Sequence, residues 1–325
     1  MGIALSTSYF AGRGLSPAEM AAQTRALGFE SVELGYFTRD IELAAWEDAL
    51  AKEGLTVTSL HSFCPMPISM PQMGPEAFSL ADPDPAERRA AVEAMLRTLD
   101  CAVRFGASAI VNHGGRVSMH TRGGFFSRGV PYRSQLSKAL ARPPHVPDRA
   151  LAEYEFGLRE QAAPAWIDGV SESLEVLLPR FEAAGRVLAF ENLPGLEAFP
   201  DPAEMTLLRR RFPSPALGAW YDIGHGERKA RVGDWPVAET LELTADFTVG
   251  MHIHDVRGLE EDHCAPGEGS VDYEALRPLM TKPGILHIFE PAPSVEPGPL
   301  AAGLVMLRER GLLQAAGTSS APLYD

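Results

Sequence analysis

The chain has 325 residues, 45% of them hydrophobic and 22% charged, which is enough apolar material for a large core and too little charge for a disordered chain. A formal net charge of -14 argues against a protein that lives on nucleic acid or on an anionic membrane, whose phosphates are held by Lys and Arg. The three cysteines, Cys64, Cys101 and Cys264, are odd in number and far apart, no apolar run reaches the membrane-spanning length, and MGIALSTSYFAGRG lacks a leader pattern, so a soluble cytoplasmic protein is expected.

The first apolar run is IALS at residues 3 to 6, followed by SPAEMAAQTRALG, which reads as a helix opened by Ser16 and Pro17 and closed by Gly28. SVEL (31 to 34) and TVTSL (56 to 60) come next, then a helical stretch at 84 to 105 and the run SAIVN (108 to 112). A second helical stretch at 171 to 185 precedes RVLAF (186 to 190), and a third at 202 to 212 precedes LGAWY (217 to 221). FTVGMHIH (247 to 254), ILHIF (285 to 289) and a helix at 298 to 311 complete the series. Eight apolar runs alternating with helices, with no glycine-rich phosphate fingerprint after the first, predict one α/β domain over residues 1 to 325, a closed (β/α)8 TIM barrel.

The spacing is even except between the fourth and fifth strands, where residues 113 to 185 intervene. Within that excess, Arg116 to Pro147 carries Arg116, Arg122, Arg128, Arg133, Lys138 and Arg142 and no acidic residue. Residues 116 to 170 are therefore expected to form an insert, read either as a lid that meets an anionic group of the substrate or as a subunit contact or solvated loop.

Catalytic groups of such a barrel sit at the C-terminal ends of its strands. Here those ends carry His61, His113, Glu191 with Asn192, Asp222 with His225 three residues on, His252 and His254, and Glu290; the loop after the seventh strand adds Glu261 and His263. Strand alternation points His252, His254, Ala189 and Glu191 inward, and packs Met251 and Ile253 against helices. Any one histidine alone reads best as a core or loop residue, but carboxylates and imidazoles converging on one rim call for a cation, because a buried carboxylate is costly unless paired. Oxygen and nitrogen donors without thiolate suit manganese, cobalt, iron, magnesium or zinc. His287 and Trp220 read as packing residues, His120 and His145 as exposed parts of the insert, and GEG at 267 to 269 as a turn. Glu33, at the end of the second strand, reads equally as a substrate contact or a supporting residue, and Phe10, Phe37 and Phe63 are candidates to line a sugar pocket.

ENLPG, WYDIGH, MHIHD, EDHCAPGEG and IFEP, in that order at these strand ends, resemble the xylose isomerase-like barrel superfamily, which includes sugar phosphate isomerases and epimerases and endonuclease IV. The resemblance to ketose 3-epimerases implies one divalent metal (Mn, Co, Mg or Zn) held by Glu191, Asp222, His252 and Glu290. It further implies substrate contacts from His225 and Arg257; beside these, the strand-end residues His254, Asn192 and Glu33 are expected to contact substrate, and Glu191 and Glu290, on either side of it, to serve as base and acid. The resemblance to endonuclease IV implies additional metal ligands at His61, His113, His225, Glu261 and His263, with Glu261 standing where that family has Asp. The expected activity is isomerisation or epimerisation of a small polyhydroxy carbonyl substrate, a sugar or sugar phosphate, by proton transfer through an enediolate. Two alternatives are carried beside it: an endonuclease IV-like phosphodiesterase on abasic DNA, and an inactive barrel that binds a sugar or a partner. Carbohydrate metabolism, no membrane and no nucleic acid as partner, and a homo-oligomer as an open option complete the expectation.

Overall fold

In a computed structural model of the protein, residues 2–71, 74–118, 149–231, 235–258 and 261–313 are described. The strands, in chain order, are β1 (Ala4–Ser6), β2 (Ser31–Leu34), β3 (Thr56–His61), β4 (Ala109–Asn112), β5 (Gly115–Arg116), β6 (Val187–Glu191), β7 (Ala198–Phe199), β8 (Leu217–Asp222), β9 (Thr248–Ile253), β10 (Asp255–Arg257), β11 (Glu261–Cys264) and β12 (Leu286–Phe289). Eight of them pair in parallel around a closed barrel in the order β1-β12-β9-β8-β6-β4-β3-β2, with β1 hydrogen-bonded to both β12 and β2. These eight are the eight apolar runs of the sequence. They read as continuous apolar stretches because both faces are covered, one by the barrel interior and one by helices. The remaining strands form two antiparallel pairs, β5 with β7 and β10 with β11, outside the barrel.

Local signals set the helix bounds. Ser16 and Glu19 form a reciprocal cap for the helix Pro17–Ala26, and Gly28 follows it at φ 90°. Asp84 accepts from Ala86 N to open Pro85–Phe105, which ends on Gly106 at φ 73°. The long stretch before β6 differs from expectation. Residues Arg149–Ala184 form a single helix, so 149 to 170 are helical and continuous with the expected helix at 171 to 185. Pro164 and Pro179 lie inside that helix and mask it in the sequence, because proline normally breaks helices. Trp166, Val170 and Leu174 pack it into the layer shared with the helix Pro85–Phe105. Arg116 is no free cation either: it pairs with Glu76 at 2.8 Å and with Glu197 at 3.3 Å. Arg122, Arg128, Arg133, Lys138 and Arg142, with His120 and His145, lie outside the described residues.

Two apolar layers pack between the strands and the helices, and a third, smaller one fills the barrel. Met251 and Ile253 face the helices, whereas Ala4, Ala109, Val111, Ala189, Trp220 and Ile288 point inward. Trp220 lies 5.2 Å, ring to ring, from His252, and it fits there because Gly250 offers no side chain: a Cβ on that residue would stand 2.2 Å from the indole. The aromatic plug so formed is the floor on which the strand-end residues rest. Among the described residues, no helix is long and apolar enough to cross a membrane.

His287 sits under the helices, as its register predicts, with Nε2–H donated to Met280 O at 2.8 Å. Burial, only partly offset by that bond, lowers its pKa from about 6.5 to about 4. Between those values the unfolded chain holds a proton that the folded chain does not, so stability is complete above the upper value and falls as pH drops towards the lower one, by roughly 3 kcal/mol. His287→Gln should flatten this part of the profile, and urea titrations of both proteins at pH 7 and pH 4.5 check it; equal losses in the two would remove His287 as a cause.

Candidate metal centre

The barrel brings the strand ends to one rim. Glu33 comes from the end of β2, His61 from β3, Glu191 from β6, Asp222 from β8 and His252 from β9, while His113 and Glu290 follow β4 and β12 directly. All seven are buried. Glu191 occupies the middle: Oε2 is 3.3 Å from Nε2 of both His61 and His113, and Oε1 is 3.1 Å from His225 Nδ1 and 3.5 Å from His252 Nδ1. His252 Nδ1 is also 3.5 Å from Asp222 Oδ2 and 3.1 Å from Glu290 Oε2. Glu191, Asp222 and Glu290 therefore each approach Nδ1 of His252, and ligand-type atoms of Glu191, Asp222 and His252 lie within 4.8 Å of one another. Three further groups each have ligand-type atoms within 4.8 Å of one another: His61 with His113 and Glu191, Asp222 with His225 and His263, and Glu33 with His252 and Glu290.

Hydrogen bonds behind the rings decide which nitrogens face the centre. A carbonyl oxygen only accepts, so a ring nitrogen that contacts one must carry the proton. His61 Nδ1 donates to Ser62 O at 3.2 Å, His225 Nδ1 to Asn192 O at 3.1 Å and His263 Nδ1 to Glu290 O at 2.7 Å. In the neutral rings Nε2 then holds the lone pair. For His61 that atom faces a Glu191 oxygen, an arrangement of two acceptors that is stable only with a proton or a cation between them. The buried oxygens of Glu191 and both nitrogens of His252 form no hydrogen bond. Orphaned buried acceptors of this kind, all oxygen and nitrogen, fit a divalent cation.

Charge balance points the same way. Burial disfavours a charged His113, yet the carboxylates of Glu191 and Glu76 outweigh it and push the pKa up to about 9. The same competition, with burial opposed by Glu290, Glu33 and Glu191, holds His252 well above the usual imidazole range. Burial would raise Glu191 and Asp222, but the surrounding rings hold both far below the ordinary carboxylate range. Protons thus supply the positive charge that the carboxylates need, and a divalent cation competes for the same lone pairs.

The remaining expected residues fall in different places. His254 accepts from His263 N at Nδ1 (2.9 Å), so its Nε2 carries the proton and donates to Asp222 at 3.0 Å; with both nitrogens engaged and the residue buried, it orients Asp222. Asn192 is similarly engaged, accepting from Asp222 N at 2.7 Å and donating to Asp222 O at 3.0 Å. His225, in the first turn of the helix Ile223–Arg231, stays at the centre. Arg257 and Glu261 do not reach it. They pair with each other at 3.0 Å, with about half of each side chain in solvent. Strand alternation would put Glu261 on the same face as His263, but His263 has φ 56° and breaks the alternation. Asp262 is the half-buried acid of this hairpin, bonded to Arg228 and held low in pKa, against its burial, by His263.

Several participants carry no sequence signal of their own. Ser6 and Ser8, in LSTS after β1, donate to Glu290 Oε1 at 3.5 and 3.3 Å. Glu76 lies 3.4 Å from His113 Nδ1. Tyr36 stands edge-on to His61 at 5.6 Å and packs on Phe37 at 4.3 Å. Phe63 and Phe10 are buried in the packing layers. A serine or tyrosine in a loop is too common to single out until the fold shows what it touches.

None of the curated proteins compared with the chain matches it. Among solved structures, the apo 3-keto-D-glucoside 4-epimerase YcjR of E. coli is similar with TM-score 0.66 and 17% identity, over 95% of this chain and 99% of that one. D-psicose 3-epimerase of Clostridium cellulolyticum H10, with D-tagatose, has TM-score 0.61 and 14% identity over 97% and 100% of the two chains. The TTHB071 protein of Thermus thermophilus, soaked with ZnCl2, has TM-score 0.57 and 19% identity over 99% and 100%. At these identities the likeness establishes the fold. The model of the xylose isomerase-like TIM barrels matches residues 21–310, and the chain belongs to that family.

Proposed function

We propose that the protein is a divalent-metal-dependent isomerase or epimerase of a small sugar or sugar phosphate, acting by proton transfer at a carbon beside a carbonyl. The supporting observation is that three buried carboxylates, Glu191, Asp222 and Glu290, approach Nδ1 of His252, and that the oxygens of Glu191 and the nitrogens of His252 form no hydrogen bond. Manganese, cobalt, magnesium and zinc all suit these donors. When bound there, a divalent cation polarises a substrate carbonyl and makes the adjoining C–H acidic.

The chain's own residues supply the proton handling. Glu191 and Glu290 come from β6 and β12, which β8 and β9 separate in the barrel, so the two carboxylates approach the centre from different sides. Two opposed carboxylates can remove a proton from one face of a carbon and return it to the other, which is epimerisation; one alone moving a proton between neighbouring carbons is isomerisation. Ser6 and Ser8 hold one oxygen of Glu290 and leave the other facing His252. Against the effect of burial, His225 and then His254 hold Asp222 in its ionised form, and His254 orients it through the 3.0 Å hydrogen bond. That two similar structures are sugar epimerases supports this reading.

A second reading, metal-dependent phosphodiester cleavage at abasic DNA, draws support from the flanking groups His61–His113–Glu191 and Asp222–His225–His263, which offer donors for further cations. The net charge of -14 weighs against it.

With a panel of ketoses and 3-keto-glucosides, the metal-loaded protein should exchange a substrate C–H with deuterated solvent. Glu290→Gln should slow that exchange by about 100-fold or more with an unchanged circular dichroism spectrum, and prolonged chelation should do the same reversibly. Exchange at the wild-type rate in the variant would remove Glu290 from the chemistry. In a gel-shift experiment at low salt, an abasic duplex should remain unbound, and a retarded complex that is cleaved on adding zinc would favour the second reading.

A further inference from the structure

We propose that Glu33 fixes which nitrogen of His252 binds the cation: its ionised carboxylate holds the proton on Nε2, accepting from that N–H, and leaves Nδ1 as the ligand atom. The assignment rests on the metal-centre reading above and concerns a residue that the sequence leaves open between a substrate contact and a supporting role.

Glu33 is fully buried at the end of β2. Its Oε2 accepts from Ser59 Oγ at 2.7 Å, and its Oε1 lies 3.3 Å from His252 Nε2. Neither Glu33 Oε1 nor His252 Nε2 forms a hydrogen bond among the described residues, their own 3.3 Å contact included, so each is left to the other as a polar neighbour. The opposite edge of the ring, Nδ1, faces Glu191, Asp222 and Glu290. His252 thus stands between one carboxylate on one side and three on the other, and a proton held on the Glu33 side frees the nitrogen on the crowded side. Ser59 occupies one oxygen of Glu33 and the ring faces the other, so no oxygen remains for a substrate.

The partner is chemically distinctive. His61, His225 and His263 are backed by carbonyls of Ser62, Asn192 and Glu290, and the Glu76 behind His113 shares its charge with Arg116. Behind His252 stands a whole negative charge with only a hydroxyl beside it. A carboxylate in that position strengthens the imidazole as a donor, and its loss typically costs about 10- to 100-fold in metal affinity.

The test uses the full-length chain freed of metal and titrated with Mn2+ or Zn2+ in competition with a chelator. Glu33→Gln should bind the cation about 10- to 100-fold more weakly with the same stoichiometry, and Ser59→Ala, which frees the carboxylate to swing, should weaken binding in the same direction. In wild-type protein with 15N-labelled histidine and 113Cd, the coupling should appear at Nδ1 of His252; this measurement stands even if the Glu33 variant fails to fold. Unchanged affinity in Glu33→Gln, or coupling at Nε2, would overturn the assignment. Loss of a whole equivalent of cation would make Glu33 a ligand and overturn it as well. If the wild-type protein itself binds no divalent cation, the metal-centre reading falls together with the inference.

Discussion

Four carboxylates, Glu33, Glu191, Asp222 and Glu290, lie buried together at the C-terminal end of the barrel, and the charge they concentrate there is the constraint on which the surrounding arrangement depends. Stripping water from one such group costs several kcal/mol unless opposite charge replaces it. The chain answers with imidazoles instead of lysine or arginine. A ring nitrogen can carry a proton or surrender it to a metal, so the site can trade one form of positive charge for another without moving its side chains.

The hydrogen bonds behind those rings make the exchange directional. Backbone carbonyls of Ser62 and Glu290 each hold a proton on Nδ1 of His61 and His263 and leave Nε2 free, whereas Nδ1 of His225, bonded to Asn192 O, is also the nitrogen 3.1 Å from Glu191. These carbonyls belong to the strand-end segments themselves, so the same chain that builds the barrel rim also sets the protonation pattern. His254 inverts the scheme, presenting a proton to Asp222, because the backbone N–H of His263 occupies its other nitrogen. The unusual φ of His263 is bound up with this contact, and it also turns Glu261 out to solvent.

The barrel was legible in the sequence because its strands are short, apolar and separated by helices with strong caps, and all eight appear where those runs lie. The positions of Glu191, Asp222, His252 and Glu290 could be read as strand ends, since alternation and the C-terminal location of barrel sites both depend on the sequence alone. Three kinds of information were not available there. The N-terminal half of Arg149–Ala184, with Pro164 inside it, lies in a stretch read as an insert, and it is the packing of Trp166, Val170 and Leu174 that shows it as helix. Asn192 and His254 sit at the right strand ends, but their polar atoms are consumed by Asp222, and only three-dimensional contacts reveal that. Ser6, Ser8 and Glu76 act across large sequence separations from loops whose composition is ordinary.

The indole of Trp220, seated over Gly250, closes the barrel beneath His252. The indole thus fills the barrel interior at this level together with Ala4, Ala189 and Ile288. On the proposed reading, a cation held against this stopper would lie deeper than a substrate, and the inorganic component would be the first to arrive.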